Sequence, residues 1–239
     1  MLQACLNGSR TREDHPAIPY TPYEIAVDAE KSITAGAAEL HIHVRDQSGK
    51  ESLAPEDVAA TLLAVRERVP GIPIGISTTW SILPDSAARM KLLHSWVVLP
   101  DYISINMDEP DAEWIISTAF AKGIAVEAGI RSEADAERFV AMPGFDACLR
   151  VLIGIHDPDP GKESAIVRRI RGVLKRANCH LPILLHGSHQ TMWPMYIEAL
   201  LQGFDGRIGL EDGNMLLSGV TAADNEELVM TAKLIEGRF

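Results

Sequence analysis

The segment LHIHVRD, residues 40–46, places His41 and His43 two positions apart. On a β-strand, side chains two positions apart point to the same face. Two neutral imidazoles that face one confined space are ligands for a borderline divalent cation such as zinc. The alternative is a pair of hydrogen-bonded histidines with a structural role only. Because two imidazoles share the face, we favour the metal site.

A second group of charged residues lies in GRIGLEDGN, residues 206–214. Arg207 and Glu211 share one face by the same period of two, and Gly209 between them leaves room above the arginine. Glu211 could complete a site of two histidines and one glutamate, which leaves the open coordination position that a catalytic metal needs. Asp212 could act as a base if its carboxylate is free, and Arg207 could bind a carboxylate through two N–H groups. A structural arginine–carboxylate pair explains these residues equally well.

The elements that must position these residues follow a regular order along the 239-residue chain. Short apolar runs predict strands at 2–6, 39–44, 72–77, 102–105, 124–127, 148–153, 182–185 and 206–210. Helical patterns follow each run: one begins at Pro22 behind an N-cap Thr21 and stops at Gly36, and the others cover 55–69, 85–94, 111–122, 133–142, 162–177, 192–202 and 222–236. Eight strand–helix units at this length predict an α/β fold, a closed (β/α)8 TIM barrel, as a single domain over 1–239. No GxGxxG motif follows any of the strands, which weakens an open nucleotide-binding sheet.

Polar residues stand at the carboxyl end of every predicted strand. In a barrel of this kind the active site is built at those ends. A purely structural barrel does not need such a set, so we expect a functional site there. The set comprises Asn7 to Arg10, His41 to Asp46, Ser77 to Thr79, Ser104, Asn106, Glu127, His156, Asp157, His186 to His189, Arg207, Glu211 and Asp212.

Composition excludes several classes of protein. A formal net charge of −11 argues against non-specific binding to nucleic acid or to an anionic membrane. No apolar run reaches the ~18 residues of a membrane span, and the first residues, MLQACLNGSRTRED, lack the pattern of a signal peptide. The three cysteines form no CxxC pair, which fits a reducing compartment. We therefore expect a cytoplasmic protein with small-molecule partners.

Three segments in this order resemble the beta-keto acid cleavage enzyme family: NGSRTREDHPAIPYTPYEIA, AGAAELHIHVRDQSGK and GRIGLEDGN. The similarity runs through most of the chain and is strongest at its ends. The resemblance implies a barrel with a divalent metal, usually zinc, with His41, His43 and Glu211 as the ligands. It also implies that Arg207 and Asp212 activate the keto acid.

Further substrate-binding positions follow from the same resemblance. Ser77, Ser104 and Asn106 fall where the family binds the carboxylate and keto groups of its substrate, and Glu127 matches an acidic residue near the site. The implied reaction converts a beta-keto acid and acetyl-CoA into acetoacetate and a new acyl-CoA, in an enzyme expected to be a homotetramer. Arg10 at the lip of the first strand favours an anionic substrate tail, although a solvated surface arginine explains it equally well.

Two other functions are compatible with parts of the pattern. One is a metal-dependent hydrolase of the amidohydrolase kind, which also pairs an HxH strand with a late acidic residue. Here HxH lies on the second strand rather than the first, and the fifth strand ends in Glu127 rather than a histidine, which count against it. The other is a non-catalytic metal- or ligand-binding barrel, which the bulky Trp80 at the predicted site would favour.

Overall fold

A computed structural model of the protein describes residues 1–156 and 161–238, so Asp157 lies outside the described residues. Eight parallel strands form a closed barrel in sequence order, with the eighth strand paired to the first. The strands are β1 Leu2–Cys5, β2 Glu39–Ile42, β3 Ile74–Ser77, β4 Tyr102–Asn106, β5 Ala125–Ile130, β6 Arg150–Ile155, β7 Ile183–Gly187 and β8 Asp205–Ile208. The helices are α1 Pro22–Thr34, α2 Pro55–Arg68, α3 Ser86–Ser95, α4 Ala112–Ala121, α5 Glu133–Ala141, α6 Glu163–Arg176, α7 Met192–Gln202 and α8 Asn225–Glu236. The predicted TIM-barrel fold is confirmed.

The predicted strand boundaries are wrong at several positions on the carboxyl side. Strand β5 continues to Ile130 rather than ending at Glu127, and β7 continues to Gly187. Strand β6 starts later and ends later than predicted, at Arg150 and Ile155. All three strands are buried over almost their whole length, so their apolar pattern carries no mark of where the strand stops.

The alternation along β2 follows the prediction. Leu40 and Ile42 belong to the apolar core between the barrel and its helices. Glu39 and His41 take the intervening positions and are both buried inside the barrel. The amphipathic helices supply the other half of this core, which fixes the direction in which every strand residue points.

Helix α1 begins where the sequence predicts. The side chain of Thr21 accepts from the backbone N–H of Glu24, and the Glu24 side chain accepts from the backbone N–H of Thr21, a capping box with Pro22 in the first turn. This reciprocal cap satisfies two N–H groups that a helix start otherwise leaves unpaired. The N-cap prediction at Thr21 is confirmed.

The buried side-chain amide of Asn225 joins the first and last strands of the barrel. Asn225 Oδ1 accepts from the backbone N–H of Leu210, while Asn225 Nδ2 donates to the carbonyl of Leu6 and to Asp28 Oδ2, at 2.7, 2.8 and 2.6 Å. These contacts tie the ends of β1 and β8 to helix α1. Asn225 therefore closes the seam beside the strand ends that carry the functional residues.

None of the described helices is long and apolar enough to cross a membrane. The connections between strands and helices are the places where polar residues accumulate at the carboxyl end of the barrel.

Asp28 at this seam makes the stability of the protein depend on pH. Burial raises the pKa of Asp28 to about 7, against the opposing hydrogen bond from Asn225; Asp224 and Glu226 add to the rise and Lys31 opposes it. The folded protein therefore keeps a proton between about pH 4 and 7 that the unfolded chain releases, so stability falls as pH rises through this interval.

We predict that Asp28→Asn removes this loss of stability. The variant's melting temperature minus that of the wild type should be larger at pH 8 than at pH 5, measured by circular dichroism. Asp146→Asn, at an exposed position, serves as the control and should show no such trend. Parallel pH profiles for Asp28→Asn and the wild type would contradict the prediction.

Candidate active site and metal centre

A cavity of about 750 Å³ opens at the carboxyl end of the barrel. It brings together almost all the residues that the sequence predicts for the site, although they come from five different strand ends. Those lining the cavity are Arg10, His41, His43, Ser77, Ser104, Asn106, Arg207, Glu211 and Asp212.

The two histidines and Glu211 form a compact cluster. His41 Nε2 lies 3.5 Å from Glu211 Oε2, and His43 Nε2 lies 3.4 Å from Glu211 Oε1. One ligand atom of each residue lies within 4.8 Å of the others. The three residues therefore form a possible metal site in the arrangement that the sequence predicts.

Two glycines allow Glu211 to reach this position. A Cβ on Gly8, which has a φ of +59°, would collide with the Glu211 side chain. A Cβ on Gly209 would collide with the backbone of Cys5. The sequence predicts that Gly209 leaves room above Arg207; the structure gives a different reason, which is the close approach of the β1 backbone.

The donor atoms of this cluster fit a divalent cation. Glu211 Oε2 is buried and has no hydrogen-bond partner among the described residues, although it faces His41 Nε2. An unpaired buried carboxylate oxygen is costly, and a cation at this point would satisfy it. Two imidazoles and one carboxylate are also the donor set of a common class of catalytic zinc site.

Glu51 orients the second histidine. Its carboxylate contacts His43 Nδ1, which leaves His43 Nε2 directed to Glu211. Asn7 holds the same residue by its backbone, accepting from the N–H of His43 and donating to its carbonyl, both at 2.9 Å. A carboxylate behind a metal-binding imidazole fixes the ring and its tautomer. Sequence spacing does not predict the role of Glu51, which lies eight residues beyond His43 on the far side of a turn.

The pKa values of the two histidines are shifted in opposite directions. Burial lowers the pKa of His41 to about 4, so its ring is neutral. Burial also opposes protonation of His43, but Glu211 and Glu51 outweigh it and raise the His43 pKa to about 9. Burial alone would raise the pKa of Glu211, yet Arg207 and the histidines hold it well below its usual range. A divalent cation competes for the place of the His43 proton, so metal binding releases that proton.

Arg207 pairs with both acidic residues of the eighth strand end. Its Nη2 lies 2.6 Å from Glu211 Oε1 and 3.0 Å from Asp212 Oδ1, and its Nε donates to Asp212 Oδ2 at 3.1 Å. His186 Nδ1 donates to the same Asp212 oxygen at 2.9 Å. Burial would raise the pKa of Asp212, but Arg207 and His186 outweigh it and lower that pKa. The expectation of a free Asp212 carboxylate is therefore wrong.

The predicted substrate-binding residues differ in how strongly they are held. Asn106 Nδ2 donates to Glu109 Oε1 at 2.9 Å, and Ser77 Oγ accepts a long hydrogen bond from the backbone of Thr79 at 3.4 Å. Ser104 lines the cavity beside them. Arg10 Nη1 donates to the carbonyl of Leu210 at 2.7 Å, so this arginine is part of the cavity wall rather than a solvated surface residue.

Glu127 does not belong with this group. It is fully buried inside the barrel, where Arg150 Nε donates to its Oε2 at 2.6 Å and Gln3 Nε2 donates at 3.1 Å. Glu39 and Tyr102 complete this polar layer. Because β5 continues for three residues beyond Glu127, the predicted substrate contact is wrong for this side chain: Glu127 is absent from the residues that line the cavity.

A second pair of histidines lines the same cavity. The rings of His156 and His186 lie 5.4 Å apart, edge to face, and His156 Nδ1 lies 2.9 Å from Ser188 Oγ. Both histidines are predicted at strand ends, but the sequence pattern indicates no partner for either. The signal that was available is their common position at the ends of neighbouring parallel strands, β6 and β7.

The metal cluster leads to a first prediction. His41→Ala should lower bound zinc from about one ion per chain to near zero, because only two of the three protein ligands remain and two ligands do not hold the ion tightly enough. Zinc is measured by elemental analysis after dialysis. His94→Ala, on the exposed side of α3, is the matched control and should bind zinc as the wild type does. Unchanged zinc in His41→Ala would rule out the cluster as the metal site.

A second prediction concerns Glu51. Glu51→Gln keeps the size of the side chain but removes the charge behind His43, so zinc affinity should fall by about 10- to 100-fold. Competition with a fluorescent chelator gives the affinity. Wild-type affinity in this variant would show that the contact between Glu51 and His43 does not support the metal site.

Comparison with known proteins identifies relatives over nearly the whole chain. The 3-keto-5-aminohexanoate cleavage enzyme of Fusobacterium nucleatum is 27% identical over 252 aligned positions, which cover 96% of this chain and 88% of that one. The enzyme of the same name from Acetoanaerobium sticklandii is 24% identical over 96% of this chain. The 3-oxoadipate:acetyl-CoA acetyltransferase of Cupriavidus necator is 33% identical over 79 residues, 33% of this chain and 28% of that one.

Solved structures share the fold. The apo structure of ObcA superposes with a TM-score of 0.69 at 20% identity and covers 92% of this chain, which spans only 61% of that longer chain. The 3-dehydroquinate dehydratase of Geobacillus kaustophilus gives a TM-score of 0.63 at 10% identity over 99% of this chain. At these identities the likeness shows a shared barrel architecture.

The family assignment rests on an amino-terminal segment that covers more than half of the sequence. The model of the beta-keto acid cleavage enzyme family matches residues 1–143 of the 239-residue chain, a segment that includes His41 and His43. The third member of the metal cluster, Glu211, comes from outside that segment and meets the histidines in the fold. The protein belongs to the beta-keto acid cleavage enzyme family.

Proposed function

We propose that this protein is a zinc-dependent enzyme that exchanges acyl groups between a beta-keto acid and acetyl-CoA, yielding acetoacetate and a new acyl-CoA. The observation that carries the proposal is the cluster of His41, His43 and Glu211 in one cavity with the Arg207–Asp212 pair. A family member with these two imidazoles and one carboxylate has the groups needed to hold a metal ion and a substrate that chelates it. The name of the Cupriavidus necator relative, which includes acetyl-CoA, supports the choice of co-substrate.

The metal and its ligands would position the keto acid. His41, His43 and Glu211 would hold the ion, with Glu51 keeping His43 in place. When bound, zinc supplies a Lewis acid that favours negative charge on the keto oxygen of a chelated substrate. Arg207 already holds Glu211 before any substrate binds, so the electrostatic environment of the site is preorganised.

The remaining polar residues would bind the ends of the substrate. Arg207 Nη1 makes no hydrogen bond among the described residues and can donate to a substrate oxygen, whereas Nε and Nη2 are committed to Glu211 and Asp212. Ser77, Ser104 and Asn106 offer hydroxyl and amide donors on the neighbouring wall. Arg10 would meet an anionic tail at the lip. Arg207 and Asp212 are thus the proposed catalytic pair.

The proposed exchange gives the beta-keto acid and acetyl-CoA each a defined role. The carbon between the keto and carboxylate groups attacks the thioester carbon of acetyl-CoA, and the CoA thiolate leaves. That thiolate then attacks the original keto carbon, and the carbon–carbon bond to it breaks. The products are acetoacetate and the new thioester, with CoA conserved. A homotetramer and a cytoplasmic location are parts of the same proposal, and they rest on the family resemblance.

Family membership favours this exchange over the two alternatives. A hydrolase would use water and release a free acid without involving CoA. A binding barrel would hold a ligand without turnover. Trp80 does line the cavity, but the guanidinium of the buried Arg89 lies 5.4 Å from its ring centre, so the indole is held against the wall. The space of about 750 Å³ remains with Trp80 in place.

A labelled exchange tests the function without knowledge of the natural acyl tail. With acetoacetate and carbonyl-labelled acetyl-CoA, the two acetyl groups trade places, so the keto carbon of acetoacetate should acquire the label while its carboxylate carbon does not. Carbon-13 NMR follows both positions. Labelled acetate instead of labelled acetoacetate would support a hydrolase, and bound zinc with no transfer would support a binding barrel.

Asp212→Asn is the informative variant in this assay. It should retain zinc, because Asp212 is not in the metal cluster, and should lose about 10²- to 10⁴-fold in exchange rate, the usual range for groups that assist proton transfer. His94→Ala serves again as the variant with wild-type rate. Full activity in Asp212→Asn would remove Asp212 from the catalytic pair.

A further inference from the structure

Helix α6 carries an excess of positive charge in a chain that is acidic as a whole. Five of its 14 residues are arginine or lysine and one is acidic, whereas the chain has 22 basic and 33 acidic residues. Like charges three or four positions apart weaken a helix. On one face of α6 a carboxylate offsets this cost, since Glu133 lies 3.9 Å from Arg169 and 4.0 Å from Arg176. The other basic residues of α6 lie on a different face.

Those other residues, Arg168, Arg171 and Lys175, line a second cavity, of about 660 Å³. It lies between the last turns of α6 and Ile183, the first residue of β7. It therefore opens near the amino end of the barrel, whereas the candidate active site lies at the carboxyl end. Its volume is in the range of small-molecule sites. Every charged side chain that lines it is positive, and no aspartate or glutamate takes part in the wall.

The positive charge of this wall is not balanced within the described part of the chain. The exposed side chains of Arg168 and Lys175 make no hydrogen bond or ion pair with any described residue. Arg171 is fixed by neutral groups: its Nη1 donates to Gln202 Oε1 at 3.0 Å, and its guanidinium lies 4.9 Å from the ring centre of Phe204. The carboxyl end of a helix supplies only about half a negative charge. Three cations exceed that, so the cavity attracts an anion.

Gly172 keeps space open beside these cations. A glycine inside a helix costs stability relative to alanine. Packing does not demand it here, because a Cβ on Gly172 would come within 4 Å of one described atom outside the local helix backbone, Arg176 Nη1 at 3.4 Å. Gly172 lines the cavity, so its missing side chain enlarges the space that a ligand can fill. Leu174 and Ile183 add apolar surface to the same wall.

We propose that this cavity binds a small organic phosphate, a ligand with at least two negative charges beside an apolar ring, as in a nucleoside diphosphate. The guanidinium groups of Arg168 and Arg171 can each donate two parallel N–H groups to a phosphate, and Lys175 adds a point charge. Leu174 and Ile183 would contact the ring. The site is independent of the metal cluster and of the proposed acyl exchange, because it lies near the other end of the barrel.

Isothermal titration calorimetry of the full-length protein with ADP tests the site. ADP should bind once per chain, and more weakly as the salt concentration rises. Adenosine has the same ring without phosphate and should not bind. The double variant Arg168→Gln with Lys175→Gln should lower ADP affinity by about 100-fold, since each charge-assisted contact contributes about tenfold. The double variant Arg169→Gln with Arg176→Gln removes the same charge from the other face of α6 and should bind ADP nearly as tightly as the wild type.

Gly172→Ala separates a binding role from a structural one. Alanine should raise the melting temperature, because it is the better helix former, and should lower ADP affinity, because its methyl group occupies the cavity. A glycine that served packing alone would give a lower melting temperature instead. Circular dichroism and the same titration measure the two effects. Unchanged ADP affinity in Gly172→Ala or in the Arg168 and Lys175 double variant would overturn the proposal, as would wild-type protein that binds adenosine as tightly as ADP.

Discussion

The guanidinium group of Arg207 is the cation against which both acidic residues of the site are buried. Glu211 and Asp212 are adjacent in sequence; Asp212 is buried and Glu211 is mostly so, and burying a charge costs several kcal/mol unless it is paired. Arg207 pairs with one oxygen of Glu211, at 2.6 Å, and with both oxygens of Asp212, at 3.0 and 3.1 Å. This pairing leaves Glu211 Oε2 facing His41. It also orients Asp212 so that its Oδ2 contacts His186 Nδ1. The possible metal site and the contact between Asp212 and His186 thus both depend on one residue.

The sequence predicts the parts of this arrangement that are local. Alternation along a strand depends on neighbouring residues only, so the shared faces of His41 with His43 and of Arg207 with Glu211 follow from spacing. The start of α1 at Pro22 follows from its capping residues in the same way. The closed barrel also follows, because eight strand–helix units of this length leave few other ways to cover both faces of a parallel sheet.

What the sequence does not predict depends on strand length and on the paths of loops. The sequence predicts Glu127 at a strand end, but β5 is buried well beyond it, and a buried strand shows no polar residue at the point where it stops. Glu51 meets His43 only because the chain turns back after β2. The contact between His186 and Asp212 joins residues 26 positions apart across two strand ends. Such pairs require the register between strands, which no local pattern gives.

The overall charge of −11 must be reconciled with the anionic substrate of the proposed function. Charges farther apart than about 8 to 10 Å are largely screened at physiological salt, so the local set decides. Five carboxylates and three guanidinium groups line the cavity, and one of those carboxylates, Glu109, pairs with Arg89 at 2.8 Å. That leaves an excess of one negative charge in the cavity wall, and Glu211 and Glu51 together outweigh burial and raise the pKa of His43 to about 9. A divalent cation in place of the His43 proton turns the balance positive by one charge. In the proposed function a divalent cation would therefore act in two ways: it would polarise the keto group, and it would make the cavity attractive to an anionic keto acid.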